Sequence, residues 1–451
     1  DIGYYNFGGK IVDSTNVLTS IIGRYYTQTK EVFFKDSVVV VHEDFTIYSD
    51  TLKYNTETEV AHIVGPTRII GDSTYIYSEN GWYNTKLKIS QLQKNSILKR
   101  ADTQMQGDTI YFDDNDASGW ARGNVIINDF KNQVIVAGHN ATYNDFSQNA
   151  LVRDSALFIL YDESDSLFLH ADNLFTMPDT TEADAKIIMC YNDVRFFKTD
   201  IQGICDSLVY FSKDSTIHLH TEPLLWSNEN QMSADFIEVI NNTVPPNEVI
   251  LRNNSFIIQQ VDSTKFNQIK GKNMTGYIRD NQLYLVDVSG NGQSIYYPSD
   301  ENGVFGINSA ESSNIKLYLA KNKIQRINFV TTPTGVMDPL QLIETGFSNL
   351  DGFNWRDAIR PKNKYQIFSD KEPYPTRMPL NPIREQLPPI HVLKKLEEMQ
   401  QSQQSETEKQ MPTQELENRL DENQDENCED ESSDDCQEEN QLLPAIEKPS
   451  K

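Results

Sequence analysis

Over its first 330 residues the chain alternates apolar and polar positions with the two-residue period of a strand. In Asp214-Ser215-Thr216-Ile217-His218-Leu219-His220 the alternation puts Ile217 and Leu219 on one face and the two histidines on the other. Gly123-Asn124-Val125-Ile126-Ile127 runs into an Asn128-Asp129 turn, and Gln133-Val134-Ile135-Val136 returns from it. Asp, Asn and Gly supply the turns between such runs, because their side chains bond the local backbone or leave it free to turn. No long amphipathic helical pattern appears in this region. Ile315, Leu317 and Leu319, then Ile324, Ile327 and Phe329, predict two further strands.

A short phrase recurs through the same region: a small residue, a polar one that is often Asp, then an alternating strand. Its second position falls at Asp50, Asp72, Asp108, His139, Asp172, Asp206, Asp235, Lys272 and Gln293. The steps between these are 22, 36, 31, 33, 34, 29, 37 and 21 residues. A step near 30 fits two long strands with their turns. It is too irregular for a hexapeptide β-helix, and the helical half of leucine-rich or ankyrin repeats is missing.

The character changes twice after that. Thr332-Pro333-Thr334-Gly335 breaks the sheet pattern, and the stretch from Asp338 to Ile359, with Phe347, Leu350, Phe353 and Trp355, mixes helix-compatible and aromatic residues. It reads as a cap over the last rung, since an uncovered sheet edge invites pairing. Pro373, Pro375, Pro379, Pro382, Pro388 and Pro389 then mark an extended linker, with a short helix over Leu393 to Met399. The remainder is rich in Gln, Glu, Asp and Ser. Such a sequence buries too little apolar area to offset its ordering entropy, so disorder is expected there. The expected division is a β-repeat region at 1–330, a cap at 331–370, and a linker with an acidic tail at 371–451.

Composition sharpens this reading. Hydrophobic residues are 38% of the 451, low for one thick globule, while Tyr and Phe number 21 each. That balance suits a thin, strand-rich body. The net charge is −26. From His391 to Lys451 there are 18 acids and 6 bases, so almost half of the excess sits in the tail. No basic stripe marks a nucleic-acid partner. No run of 18 apolar residues predicts a transmembrane helix. The chain begins at Asp1 rather than Met, as a mature form that has lost a signal peptide would.

Candidate chemistry is sparse. There is no G-x-S-x-G, no Walker loop, no G-x-G-x-x-G before a helix and no H-E-x-x-H, which favours a non-enzyme. His218 and His220 share a strand face but lack a third ligand, so no metal is expected. Asp113-Asp114-Asn115-Asp116 lacks the spacing of a calcium loop and reads as a solvated hairpin turn. The four cysteines form no CxxC; Cys190 and Cys205 sit in the body, where adjacent strands can bring them together as a disulfide or leave them as two small buried residues. No cofactor is implied. What remains is the apolar side of the strands: Ile47, Leu52, Tyr54, Ile110, Phe112, Val125, Ile127, Val134, Val136, Leu208, Tyr210, Ile217 and Leu219. These residues either fill a dry core or line a groove open to a ligand; periodicity establishes only that one face is apolar. A structural or adhesive β-solenoid with a filled core, and a polysaccharide-acting enzyme, stay open beside a binding function.

Ala121-Arg122-Gly123-Asn124-Val125-Ile126-Ile127, followed by Val134-Ile135-Val136-Ala137-Gly138 and Ala141-Thr142-Tyr143, resembles the repeat of the OstA/LptA superfamily. Gly292-Gln293-Ser294-Ile295-Tyr296-Tyr297, and Leu350-Asp351-Gly352-Phe353-Asn354-Trp355-Arg356 with Arg360-Pro361, look like the OstA-like proteins of Bacteroidota-type bacteria. The resemblance spans roughly residues 1–370. It implies an all-β fold, an elongated antiparallel β-jellyroll or β-taco built from repeated strand pairs. Its apolar interior would shield the acyl chains of lipopolysaccharide on their way through the periplasm to the outer membrane. It also implies partners: lipopolysaccharide, other OstA/Lpt-type β-jellyroll domains joined through edge strands, and an outer-membrane translocon. The outer-membrane member of that family adds a C-terminal barrel. This chain ends instead in its acidic tail, with no series of amphipathic strands, so a soluble periplasmic part is expected.

Overall fold

The computed structural model describes residues 1–12, 16–161, 165–183, 185–301, 303–320, 323–339 and 349–368, all within the first of two units into which the chain divides, Asp1–Val392. The expected tail, linker and Leu393 helix lie outside the described residues, as does Phe347.

The strands follow one another almost without interruption. They are β1 (Ile2–Tyr5), β2 (Gly9–Val12), β3 (Asn16–Ser20), β4 (Ile22–Tyr26), β5 (Glu31–His42), β6 (Phe45–Asn55), β7 (Val60–Gly71), β8 (Thr74–Asn84) and β9 (Ile89–Arg100). Next come β10 (Thr103–Asp113), β11 (Ser118–Asp129), β12 (Val134–Asn144), β13 (Asn149–Tyr161), β14 (Ser166–Pro178), β15 (Lys186–Phe197) and β16 (Gln202–Phe211). Shorter pieces follow: β17 (Thr216–His220), β18 (Leu224–Ser227), β19 (Asn230–Ser233) and β20 (Phe236–Ile240). The last group is β21 (Asn247–Gln260), β22 (Phe266–Arg279), β23 (Gln282–Tyr296), β24 (Ser299–Asp300), β25 (Gly303–Val304), β26 (Gly306–Ala320), β27 (Lys323–Val330) and β28 (Thr334–Pro339). All but β24 and β25 join one 26-stranded sheet, and every pairing is antiparallel. This is the expected elongated β-jellyroll.

Each long strand is creased in the middle. The register slips between Lys35 and Val38, Ser49 and Leu52, Arg122 and Val125, Arg153 and Ala156, and Arg252 and Ser255, and at the matching point of the other long strands. Such bulges bend a strand sharply. Half of each strand therefore belongs to one wall and half to a second, and the two walls meet along the crease. On alternate rungs the bend is made by two consecutive left-handed residues: Asp36-Ser37, Lys94-Asn95, Gly123-Asn124, Asp154-Ser155, Asn192-Asp193, Asn253-Asn254 and Gly290-Asn291. Asn, Asp and Gly carry most of these positions because they reach that region at least cost.

On the intervening rungs an acid commonly faces this bend. Glu79 bridges to Lys94 at 2.6 Å and accepts from Asn95 at 2.8 Å. Asp108 accepts from Asn124 at 2.9 Å and Asp235 accepts from Asn254 at 3.0 Å, while at β13 the roles are reversed and Asp154 of the bend accepts from Asn140 of the intervening rung. Gly123, at φ +71, must be glycine for a second reason: a Cβ there would run into the Asp108 carboxylate.

The recurrent phrase marks these creases, with two exceptions. Asp72 lies in the turn between β7 and β8, and Gln293 lies beyond the Gly290-Asn291 bend. The β8 crease is at Glu79, between Tyr77 and Asn80. With it the first positions become 50, 79 and 108, two equal steps. A search keyed to Asp passes over a glutamate that performs the same bridging.

Inside the crease the residues are small: Val38, Ser49, Thr67, Ser78, Ser96, Val125, Ala156 and Ala171 are all buried. The walls converge there and leave no room for more. A Cβ on Gly138 would collide with Val152, and one on Gly292 would stand 2.8 Å from Ile315.

Residues 349–368 do not sit over the last rung. They run back as a strap along the outer face of the second wall. Leu350 packs with Ile295, Tyr297 and Ile307, and its N–H donates to Gln268 at 2.8 Å. Phe353 and Trp355 pack on Phe266, with ring centroids 5.4 and 5.3 Å away. Gln231 accepts from the N–H of Arg356 and donates to the carbonyl of Asn354, both at 2.7 Å. Arg360 donates to Gln202, and Ile367 and Phe368 end buried among Ile126, Ile135, Leu157 and Phe168. The strap covers apolar residues on the outward face that would otherwise meet water. Among the described residues none covers the last rung, β27 with β28.

Candidate functional site

The inner faces of the two walls form an apolar trough. Successive rungs place their inward residues in register, so each wall carries ladders that run the length of the sheet. On the first wall the inner ladder starts at Phe34, passes Leu52, Ile63, Leu92 and Ile110, continues to Leu208 and Leu219, and reaches Ile315 and Phe329. At about 4.8 Å per rung it is on the order of 90 Å long. A second ladder, nearer the mouth, holds Val32, Tyr54, Phe112, Tyr143, Tyr210 and Ile217. Facing it on the second wall stand Leu18, Val40, Ile47, Ile69, Ile76, Leu98, Met105, Ile127 and Val136, then Phe158, Leu169 and Phe196.

The trough is not equally filled along its length. From β5 to β12 the second-wall residues Val40, Ile47, Ile69, Ile76, Leu98, Ile127 and Val136 are for the most part only half-buried. From β13 onward their successors Phe158, Leu169, Phe196, Leu225, Met232, Ile257 and Ile269 are buried. At that end the walls touch. The space left between Ile257 and Ile269 on one side and Val286 and Leu317 on the other is about 20 Å³, room for one water. The inward residues are thus only half-buried along much of the earlier rungs and fully buried along the later ones.

The thirteen residues singled out from the sequence all face inward, at different depths. Leu52, Ile110, Leu208 and Leu219 are in the deep ladder of the first wall, and Tyr54, Phe112, Tyr210 and Ile217 are in its outer ladder. Ile47, Ile127 and Val136 stand on the second wall, with Val134 closer to its rim. Val125 lies in the crease at 0% exposure, and Ile110 is 1% exposed, so both support the trough floor rather than face open space. Val40, Ile69, Ile76 and Leu98 were missed. Their signal is cross-strand register with Ile47 and Ile127, which becomes readable only once neighbouring strands are aligned.

The mouth is bridged at one place by charge. Arg100, at the rim of the second wall, lies 4.6 Å over the Phe112 ring of the first and 3.6 Å from the Asp145 carboxylate. Phe112 in turn stacks on Tyr143 at 6.1 Å. Burial pushes the Tyr143 phenol well above its usual range, with Arg100 opposing the shift, and burial raises the nearby Asp114 carboxyl, again against Arg100 and Lys88.

Asp113 to Asp116 form the hairpin turn after β10, where Asp113 accepts from the Asn115 N–H at 2.9 Å. His218 and His220 lie on the outer face of the first wall, their rings 6.1 Å apart, with Glu238 beside His218 at 3.6 Å. Among the described residues no group of three or more His, Cys, Asp or Glu is placed to hold a metal ion. Cys190 and Cys205 are free and buried. Cys190 stands opposite Leu208 and Cys205 opposite Val194, on either side of the crease, which keeps the sulfurs from bonding. Burial pushes the Cys190 thiol up to about 12, so it is inert as a nucleophile. No helix among the described residues is long and apolar enough to cross a membrane.

Comparison with known proteins adds one segment. The family described as OstA-like protein matches over residues 1–50, which take in β1 to β5 and the first half of β6. Residues 1–50 are thus similar to that family. The OstA-like segment includes the open edge rung and the start of the half-buried ladders, and it supports the resemblance carried by the later repeats. No curated protein matches. Among solved structures the chain is similar to LptH of Pseudomonas aeruginosa, described as the LptA-homologous periplasmic component of the conserved lipopolysaccharide transport device. The identity is 15%, over 25% of this chain and 76% of that one, at a TM-score of 0.19.

Proposed function

We propose that this chain is a non-enzymatic lipid sheath of lipopolysaccharide transport, periplasmic or associated with the outer membrane, whose trough shields acyl chains from water. The observation that carries the proposal is the second-wall ladder of Val40, Ile47, Ile76, Leu98, Ile127 and Val136, which packs against the apolar core yet stays only half-buried. Each methylene sheathed in such a space contributes about 0.8 kcal/mol, so a few acyl chains give firm retention without chemistry. The OstA-like segment points in the same direction.

Both ends of the sheet support a chain of such domains. Among the described residues β1 and β2 each pair on one side only, as do β27 and β28, and they expose Ile2, Ile11, Val12, Val336 and Met337. Open edges of this kind receive further strands. Other OstA/Lpt-type β-jellyroll domains, and an outer-membrane translocon beyond them, are the partners such edges would join.

A second reading, a structural β-solenoid, draws on the closed rungs from β13 onward. One experiment separates the two. Photo-reactive residues placed at Ile47, Leu98 and Val136 are irradiated in cells that make lipopolysaccharide, with Thr142 on the outer face as control. Capture of glycolipid at the three inward sites and not at Thr142 is expected. Absence of lipid at all three inward sites supports the solenoid.

A further inference from the structure

The strap has a direction. Leu350 is held at β22, Arg356 at β19, Arg360 at β16, and Phe368 at β11 to β14, so each step carries the chain toward the earlier rungs. Its three glutamine anchors stand on a single outward row of the second wall, which register traces as Gln202, Trp226, Gln231, Ile258 and Gln268. Followed the other way, the same row passes Phe197, Phe168, Ile159 and Ile135, where Phe368 is seated, and continues through Asn128, Gln104, Lys99, Tyr75 and Ile70. Beyond Phe368 the row opens into a groove of about 520 Å³ lined by Ile70, Tyr75, Ile97, Lys99 and Gln104. Gln104 is 2% exposed and occupies the position on the row that Gln202, Gln231 and Gln268 occupy under the strap.

We propose that this groove is the docking site of residues 369–380 of the same chain, which continue the strap over β10, β9, β8 and β7. The distance fits. Four strands at about 4.8 Å span on the order of 20 Å, which about six extended residues cover. That count brings Tyr374 to the groove. The sequence between, Ser369-Asp370-Lys371-Glu372-Pro373-Tyr374-Pro375, suits the path. Proline lacks an N–H and favours extended backbone, so a segment of this sequence needs no partner for it and loses little entropy on docking. Asp370 and Glu372 carry charge opposite to that of Lys99. The docked segment would shield Ile70, which is 37% exposed, as the described strap shields Ile126 and Ile135.

The test uses the full chain with p-benzoylphenylalanine at Tyr75 (aromatic for aromatic) or at the rim position Lys99, and at Thr142 as a control on the other wall. An equal mixture of ¹⁴N- and ¹⁵N-labelled protein is irradiated and the crosslinked peptides are identified by mass. Expected are same-isotope crosslinks from Tyr75 and Lys99 to residues 369–380, none from Thr142, and loss of the Tyr75 crosslink in Tyr374→Ala. Mixed-isotope crosslinks, crosslinks to any other stretch, or no peptide crosslink from either site would overturn the proposal. The outcome is independent of whether the trough holds lipid.

Discussion

At the scale of single residues, Glu79 shows how the crease is held. Its carboxylate meets the Lys94 ammonium and the Asn95 amide across the bend, and the Lys94 hydrogen bond above all holds its pKa below the usual carboxylate range. A carboxyl whose folded-state pKa lies below its unfolded value stabilises the fold above the unfolded value, about 4.3 for Glu, and loses that contribution as pH falls through the folded value. Glu79→Gln should therefore flatten part of the acid limb of a melting-temperature curve between about pH 5 and pH 2, with little change in its slope at neutral pH. An acid limb identical to that of the parent would show that the bridge contributes nothing. The residue also shows where reading by motif stops. Ser78-Glu79-Asn80 performs the same task as Gly107-Asp108-Thr109, yet only the second carries the recurrent aspartate.

Among elements, the strap is the one whose placement no local pattern announces. Phe353 and Trp355 read as a generic aromatic cap, and the chain does use them, together with Phe368, to cover apolar surface. The surface is the outer face of the second wall, where Ile126, Ile135, Leu157 and Phe168 break the polar half of the alternation. Phe368 is 1% exposed and packs against His170 with ring centroids 4.9 Å apart. Phe368→Ala should cost about 3–5 kcal/mol of strap attachment, as removal of a buried phenylalanine does. Hydrogen exchange would then speed up across residues 354–368 while the strands of the first wall keep their protection. Unchanged exchange in the strap would mean that the glutamine pairs at Gln202 and Gln231 hold it alone.

For the whole molecule, the ends of the sheet and the unequal burial along the trough matter most. β28 is exposed along all six residues and presents Val336 and Met337 at the sheet edge. Charge on an edge strand opposes pairing. Val336→Lys combined with Met337→Lys should lower concentration-dependent self-association, read by sedimentation, and leave the melting temperature of the monomer unchanged. Association that persists at the same concentrations would place the joining surface elsewhere. The half-buried part of the inner ladders, from β5 to β12, begins within the segment that matches the OstA-like family.

Much of this was legible without coordinates. Because strand side chains alternate with a period of two, apolar positions such as Ile47, Ile110, Ile127 and Leu219 determine which face of each strand turns inward, and every candidate so chosen does face the trough. Paired residues rich in Asn, Asp and Gly likewise mark where the backbone bends, because the left-handed region costs them least. Three matters needed the tertiary structure. The alignment of neighbouring strands made ladders of residues far apart in sequence and brought in Val40, Ile76 and Leu98. The course of the strap depended on which outward surface was left apolar after the walls had formed. The packing of the walls decided that Ile127 is only half-buried while Phe158, two rungs further on, is buried. Alternation specifies the side a residue faces; how far away the opposite wall stands depends on contacts between rungs, which a single strand's sequence does not encode.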